Sequence, residues 1–320
     1  MGAVILETAE SVAGLYLVGL LGYVLSATGF VGPEAKKLFP RLVTQVTLPP
    51  FLFVSVVRSF TRSELSQLIY GSIIPVLSIL AVFAIQTLYA RRPGGRPKRR
   101  GVISVGSATS NTIFIGLPVN IALFGEGAVP FVLLYFFANT TFFWTLGNYT
   151  LSLDGASPGA GFRRGLLVKA VLSPPLLGFL LGIACILAGF APPRFLMDSA
   201  SLVGRLTSPL ALLYIGMALS ESSLASLKPD LDLAAVLMGR FVLSPLAVFL
   251  LARLIFPLAS PLMLKVFLIQ SSLPAAATLA LMAAYHGSDS SFAGAAVSIT
   301  TLLSLLTIPC YMLAFSFLGL

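Results

Sequence analysis

Long apolar runs follow one another along almost the whole chain, with only short stretches of glycine, proline and charged residues between them. Runs such as LYLVGLLGYVLSATGF and LLGFLLGIACILAGF contain no charged residue. A bilayer core needs about 20 apolar residues for each helical span, and the alternation typical of a membrane β-barrel is missing from these runs. Only 10% of the 320 residues are charged, against about 25% in soluble domains. The sequence therefore predicts an all-α polytopic membrane protein.

Ten transmembrane helices are predicted from the apolar runs and the residues that bound them. The connections between them are short, so no domain outside the membrane is expected. The predicted spans are 8–29, 38–57, 66–90, 102–124, 129–152, 166–190, 197–220, 231–256, 261–285 and 290–318.

The formal net charge of +9 is explained by where the basic residues lie. The loop between spans 3 and 4, RRPGGRPKRR (91–100), has six of them. Loops on the same predicted side add Lys36, Lys37, Arg163, Arg164, Lys169 and Lys228, whereas the opposite side has only Arg58, Arg62, Arg194, Arg253 and Lys265. Basic residues accumulate in cytoplasmic loops. We therefore expect a plasma membrane protein with both termini outside, and no nucleic-acid partner.

A weak internal repeat relates the two halves of the chain. The segment Pro50–Leu65 aligns without gaps on Pro209–Leu224, which places span 2 on span 7. Span 4, with Pro118, corresponds in the same way to span 9, with Pro274. Because the offset is five spans, an odd number, the second copy enters the membrane from the opposite side. The prediction is two inverted repeats of five helices, 1–153 and 166–320, joined by a linker at 154–165.

Spans 4 and 9 are unusually polar near their prolines. The polar, glycine and proline residues are Asn111, Thr112, Gly116, Pro118 and Asn120 in span 4, and Gln270, Ser271, Ser272, Pro274 and Thr278 in span 9. Proline removes a helical hydrogen bond and clashes with the preceding turn. A broken helix exposes N–H groups and about half a positive charge. Two such breaks would suit a carboxylate, whereas the simpler interpretation is a pair of ordinary proline kinks.

These motifs carry a resemblance to a known family. The strings SNTIFIGLPVNIALFGE and IQSSLPAAATLALMAAYHGSD resemble spans 4 and 9 of the auxin efflux carrier family. GMALSESSLASLKP, GRFVLSPLAVFLL and TTLLSLLTIP resemble its spans 7, 8 and 10 in the same order. The short loop LDGASPGAGFRR between spans 5 and 6 is similar to the microbial branch, so auxin itself is not the expected substrate.

The resemblance implies an architecture and a function. Spans 4 and 9 would cross at their breaks; spans 1, 2, 6 and 7 would form a scaffold that commonly dimerises; and spans 3–5 and 8–10 would form a moving transport domain. Microbial members are similar to malate and malonate permeases. The expectation is therefore a secondary transporter for a small organic anion, working by elevator-type alternating access.

Eight residues are predicted to form the substrate site, and each also has a plainer interpretation. Asn111, Gly116 and Pro118 match the family motif in span 4, Pro274 matches in span 9, and Asn120, Asn139 and Gln270 would line the same cavity or only pack between helices. Arg240 lies inside span 8, where a cation is costly. It would attract the anion, reach the interface or pair with an acid such as Asp289. His286 and Glu126 are expected at solvated helix ends, and Asn148 at an interface.

The sequence gives less support to other classes of function. Cys185 and Cys310 lie in apolar runs and are expected to be core residues, so no metal or cofactor is predicted. Paired catalytic groups of an intramembrane enzyme are missing, and a pure receptor lacks a predicted intracellular domain. The alternative kept open is a sodium-coupled symporter of the bile acid type. The absence of an acid between Asp232 and Asp289 counts against it.

Overall fold

Every named element of the computed structural model is helical. The structure describes residues 2–62, 70–155, 174–220, 230–255 and 260–318. Several predictions fall on other residues: the starts of the spans at 66 and 166, most of the linker at 154–165, and Arg163, Arg164, Lys169 and Lys228. These lie outside the described residues, as do the side chains of Lys36 and Lys37.

The described part of the chain contains sixteen α-helices. In chain order they are α1 (Gly2–Ala27), α2 (Pro33–Arg41), α3 (Leu48–Ser59), α4 (Ile73–Ala90), α5 (Arg100–Ala108), α6 (Gly116–Phe124), α7 (Val129–Phe142), α8 (Asn148–Asp154), α9 (Pro174–Ala188), α10 (Arg194–Gly204), α11 (Thr207–Ser220), α12 (Leu231–Met238), α13 (Ser244–Ile255), α14 (Pro261–Ser271), α15 (Leu279–His286) and α16 (Ser290–Leu318). Short π-helical segments join α2 to α3, α7 to α8 and α12 to α13.

Six helical stretches in the described residues are long and apolar enough to cross a membrane. They are Leu38–Ser59, Ile73–Ala90, Glu126–Asp154, Arg194–Ser220, Leu231–Leu254 and Ser290–Phe315. Shorter apolar helices cover Gly14–Ala27, Pro174–Ala188 and Pro261–Ser271. The prediction of a helical membrane protein is therefore confirmed, whereas the number of ten spans stays a prediction.

The helices pack into two groups. In the first helix group, α1 runs along α11, and α3 packs against α9 and α10. Glycines allow the backbones to touch, since an added Cβ at Gly22 would lie 2.2 Å from the Leu213 carbonyl oxygen and one at Gly216 would lie 1.8 Å from that of Gly19. Such small residues let membrane helices approach closely.

The second helix group contains α4 to α8 and α12 to α16. Its interior includes the buried aromatic pair Tyr135 and Phe267, whose ring centroids are 6.0 Å apart. It meets the first group mainly through α1 against α6 and α16, and through α3 against α7. The two interrupted helices both belong to this second group.

The basic segment 91–100 is tied to the second group by ion pairs. We call this the arginine–aspartate cluster, and it consists of Arg92, Arg96, Arg99, Asp230, Asp232 and Asp289. Arg99 is central, with nitrogen–oxygen distances of 2.6 Å to Asp230 and 2.7 Å to Asp289. Asp289 therefore pairs with Arg99 and not, as one interpretation of the sequence had it, with Arg240.

Candidate functional site

Two helices of the second group are interrupted, and the interruptions contact each other. The first lies between the end of α5 at Ala108 and the start of α6 at Gly116, and the second between α14 and α15. Ser110 and Ala275 form an isolated antiparallel bridge. The Asn111 N–H donates to the Pro274 carbonyl at 2.9 Å. Backbone groups freed by one break are thus satisfied by the other, as the interior of a membrane protein requires.

The two prolines occupy different places relative to these breaks. Pro118 is the third residue of α6, within the first turn, where its missing N–H costs no intrahelical bond. The break therefore precedes Pro118. Pro274 lies within the second interruption itself, and its carbonyl accepts the hydrogen bond from Asn111.

Gly116 permits the two interrupted segments of the chain to cross closely. A Cβ added there would lie 2.4 Å from Leu273 Cδ1 and 2.5 Å from Gln270 Oε1. Real Cβ atoms do not approach other atoms so closely, so a larger residue would displace the buried side chains of Leu273 and Gln270 from the crossing.

Asn139, in α7, holds the first interruption from the side. Its Oδ1 accepts from the Ser110 N–H at 2.9 Å, and its Nδ2 donates to the Ser110 carbonyl at 3.1 Å. The side chain thus replaces the helical partners that Ser110 lacks. This arrangement favours a supporting role for Asn139 over direct contact with a ligand.

Asn111 is placed differently, because one end of its amide has no partner. Its Oδ1 accepts from the Phe114 N–H at 3.2 Å. Its Nδ2 is buried and makes no hydrogen bond to any described residue, and the side chain is only 4% exposed. An unsatisfied buried donor costs about 1–3 kcal/mol. An acceptor delivered to this position would remove that cost.

Gln270 and Asn120 also lie beside the crossing and are fully buried. Gln270 Nε2 donates to the Thr112 carbonyl at 3.4 Å, and Asn120 Nδ2 donates to the Gly116 carbonyl at 2.7 Å. Each therefore stabilises the first interrupted helix with its nitrogen. Their carbonyl oxygens have no hydrogen-bond donor among the described residues.

Arg240 is completely buried, so the interpretation in which it reaches the membrane interface is wrong. It lies in the π-helical segment Gly239–Leu243. Its Nε donates to the Leu273 carbonyl at 3.0 Å, and one terminal nitrogen donates to the Ser107 carbonyl at 2.9 Å. The other terminal nitrogen donates to the Ser271 carbonyl. The guanidinium is thus turned towards protein carbonyls at the ends of α5 and α14.

Sequence reasoning missed two further contributors to the crossing. Thr300, in α16, accepts the Ala275 N–H through Oγ1 at 3.1 Å. Phe114, in the first interruption, reaches the first helix group, with its ring centroid 5.4 Å from that of Tyr214. The hydroxyl-rich string SITT in span 10 was a signal for Thr300, whereas nothing local marked the Phe114 contact.

Asn148 and His286 pair away from the crossing. Asn148 was expected at an interface, but it is 1% exposed because α8 packs against α5 and α15. Its Oδ1 lies 2.6 Å from His286 Nε2. His286 itself is partly exposed at the end of α15.

These features define a class of protein: a helical membrane protein built around two interrupted helices that cross at their breaks, a plan found in secondary transporters. A family model described as "Membrane transport protein" matches residues 8–157 and 162–312. The chain belongs to this family, which is the auxin efflux carrier family that its sequence resembles.

Similar proteins cover nearly the full length of the chain. An "Uncharacterized transporter" of Methanothermobacter thermautotrophicus is 28% identical over 309 residues, covering 96% of this chain and 98% of the relative. An uncharacterized transporter of Methanocaldococcus jannaschii is 25% identical, with 91% and 94% covered. A Rhizobium meliloti protein named "Putative malonate transporter" is 24% identical, with 90% and 89% covered.

Proposed function

We propose that this protein is a secondary transporter that carries a small organic anion with a carboxylate group across the plasma membrane. The carboxylate binds at the crossing of the two interrupted helices. The second helix group moves against the first in an elevator-type cycle. Both termini lie outside the cell, as the distribution of basic loops favours.

The single observation that carries this proposal is the buried Nδ2 of Asn111, which has no hydrogen-bond partner among the residues that the structure describes. It lies five residues before the start of α6, whose N-terminal end carries about half a positive charge. A carboxylate oxygen would satisfy the amide and gain from the helix dipole at the same time. An anion of this kind needs no metal or cofactor at the crossing.

The relatives support the choice of substrate class. One of them is named for malonate, a short dicarboxylate whose oxygens accept hydrogen bonds from amide groups such as that of Asn111. Malonate and related short carboxylates are therefore the first substrates to test.

The packing of the helices supports the proposed ten-span plan of two inverted repeats. Predicted span 1 packs on span 7, and span 2 packs on span 6. Under an offset of five spans, span 1 corresponds to span 6 and span 2 to span 7, so the repeat maps one packed pair onto the other. Spans 1, 2, 6 and 7 then form the scaffold, which dimerises, and the other six spans form the transport domain.

The test is uptake of labelled malonate and monocarboxylates into proteoliposomes, with and without sodium, by the wild type and two variants. Asn111→Asp keeps Oδ1 for the Phe114 N–H but replaces the Nδ2 donor with an oxygen. Asn148→Asp makes the same change at another buried asparagine whose Nδ2 has no partner in the described residues. A charge-assisted hydrogen bond is worth about 1.5–3 kcal/mol, so Asn111→Asp should lower uptake about tenfold or more.

The outcomes separate the candidate functions. Sodium-independent uptake that Asn111→Asp abolishes and Asn148→Asp retains supports the proposal. Uptake that appears only with sodium supports the alternative, a sodium-coupled symporter. Equal uptake by the wild type and a folded Asn111→Asp variant would reject the crossing as the carboxylate site.

A further inference from the structure

Arg240 is the one fully buried basic side chain in the described residues. It belongs to the apolar stretch Leu231–Leu254, which is long enough to span a membrane. In the described part of the chain, no carboxylate lies within ion-pair distance of it, because Asp230, Asp232 and Asp289 are all held in the arginine–aspartate cluster. Something other than an acid must therefore balance this charge.

The balance comes from two helix ends. Ser107 is in the last turn of α5, and Ser271 is the last residue of α14. Their carbonyls, with that of Leu273, accept hydrogen bonds from the guanidinium. Each helix C-terminus carries about half a negative charge, so the two together come to about one unit. One guanidinium neutralises both ends.

The surroundings fix Arg240 in this place. An added Cβ at Gly239 would lie 2.4 Å from Ser107 Cβ, so the glycine brings the π-helical segment directly onto α5. Ser244 Oγ donates to the Ser107 carbonyl at 3.2 Å and accepts from Arg240 at 3.4 Å. π-helical turns of this kind often mark functional positions.

We propose that Arg240 is a resident cation that joins the carbonyl ends of both interrupted helices, in the place of a mobile coupling cation. The role in transport rests on the proposed function. Four of the five guanidinium N–H groups already donate to protein oxygens, so Arg240 is a positioning residue for the crossing and not a ligand of the anion. Carbonyl oxygens are also the groups that bind monovalent cations in membrane proteins. Anion transport by the wild type consequently needs no sodium.

The experiment removes the Arg240 side chain by mutation and supplies its guanidinium group as a small molecule in solution. In Arg240→Ala, the carbonyls of Ser107, Ser271 and Leu273 lose their donor, and transport should be lost. Ethylguanidinium should raise the unfolding temperature of this variant in the absence of any anion, in a saturable way, and should restore uptake. Sodium is tested in a parallel series. Arg253→Ala removes an exposed arginine of the same span and is the control, with no response to ethylguanidinium.

Two further variants, one that keeps the positive charge and one that removes it, keep the test decisive if Arg240→Ala fails to fold. Arg240→Lys should fold and transport without sodium, because an ammonium still donates to carbonyls, whereas Arg240→Gln should not transport. Equal behaviour of the lysine and glutamine variants would overturn the proposal. So would a folded Arg240→Ala variant that transports normally, or one that neither ethylguanidinium nor sodium stabilises or restores. Stabilisation by ethylguanidinium without carboxylate uptake by the wild type would uphold the resident cation and reject the proposed function.

Discussion

Asn111 and Asn139 are both buried asparagines at the first interruption, but their amides are used in different ways. Both the oxygen and the nitrogen of the Asn139 amide form hydrogen bonds with the backbone of Ser110. Asn111 uses only its oxygen, on the Phe114 N–H, and its nitrogen stays free of protein partners in the described residues. Asn139 therefore supports the break, and Asn111 is left with a donor for a ligand.

Replacing Asn139 should thus change stability more than binding. Asn139→Ala leaves the buried Ser110 N–H without its partner, which costs about 1–3 kcal/mol, while the Ser110 carbonyl keeps the hydrogen bond from the Thr112 N–H. The expected result is a clear drop in the unfolding temperature in lipid or mild detergent. Asn148→Ala, at a buried site outside the crossing, is the comparison. A stable Asn139→Ala variant that transports as well as the wild type would show that the break needs no side-chain support.

A larger side chain at Gly116 should also destabilise the crossing. Gly116→Ala forces a Cβ into contact with Leu273 and Gln270, and overpacking of this kind costs about 1–3 kcal/mol. Gly127→Ala is the matched control, because its Cβ would meet nothing closer than a Leu262 methyl at 3.9 Å and should change stability by less than about 0.5 kcal/mol. Thermal unfolding of the two variants compares them. Equal unfolding temperatures would contradict the close crossing.

Residue identity was more predictable from the sequence than residue role. Asn111, Gly116, Pro118, Asn120, Gln270 and Pro274 all lie at or beside the crossing, because polar residues and prolines in apolar spans are rarely accidental. The roles of Asn139 and Arg240 were not predictable. Both depend on which backbone groups lie opposite after folding, and these come from residues 29 to 133 positions away in the chain.

At the scale of elements, the position of each break follows from backbone chemistry. Pro118 sits in the first turn of α6, so the helix is interrupted before the proline and not at it. The sequence predicted two broken helices and their polar content. It did not predict the length of each interruption, which is set by the hydrogen bonds between the two breaks.

The arginine–aspartate cluster links α12 and α16 to the basic segment, and its ion pairs should make the stability of the fold depend on pH. Burial raises the pKa of Asp289, but hydrogen bonds from the Phe292 N–H and Arg99 outweigh it, so its pKa lies below the ordinary value. The pKa of Asp230 is lowered against burial in the same way, by the Leu233 N–H and Arg99. A lowered carboxyl pKa adds stability above the unfolded value of about 3.9, and this stability is lost as the pH falls through the folded value.

Arg99→Gln should therefore raise the pKa of both carboxyl groups and weaken the fold at neutral pH. The unfolding temperature of the variant should fall below that of the wild type at pH 7, and the difference should shrink as the pH falls below the unfolded carboxyl value of about 3.9. Arg194→Gln breaks only an exposed pair with Asp198 and should have little effect. A difference between Arg99→Gln and the wild type that is constant across this pH range would contradict the electrostatic explanation.

At the scale of the whole molecule, the two helix groups are joined by few elements, and the crossing lies wholly in the second. Apolar runs predicted the helical membrane class, but not how the helices are grouped. The first helix group depends on close backbone contacts at Gly22 and Gly216, and glycines in apolar runs do not reveal their partners.

An elevator-type cycle requires the contact between Phe114 and Tyr214 to change. With Cys185 and Cys310 replaced by alanine, a short thiol cross-linker between cysteines at positions 114 and 214 should stop uptake, and cleavage of the linker should restore it. The control joins Ser26 and Ser220, whose hydroxyls are hydrogen-bonded within the first helix group. That cross-link should leave uptake intact. Uptake that continues after complete cross-linking of positions 114 and 214 would exclude movement between the groups there.

A crystal structure of the protein with malonate bound tests the proposed site directly. We expect a carboxylate oxygen within hydrogen-bond distance of Asn111 Nδ2, with Arg240 still donating to the carbonyls of Ser107, Ser271 and Leu273. Malonate bound at the arginine–aspartate cluster, or bound directly by Arg240, with Asn111 left unoccupied, would contradict it.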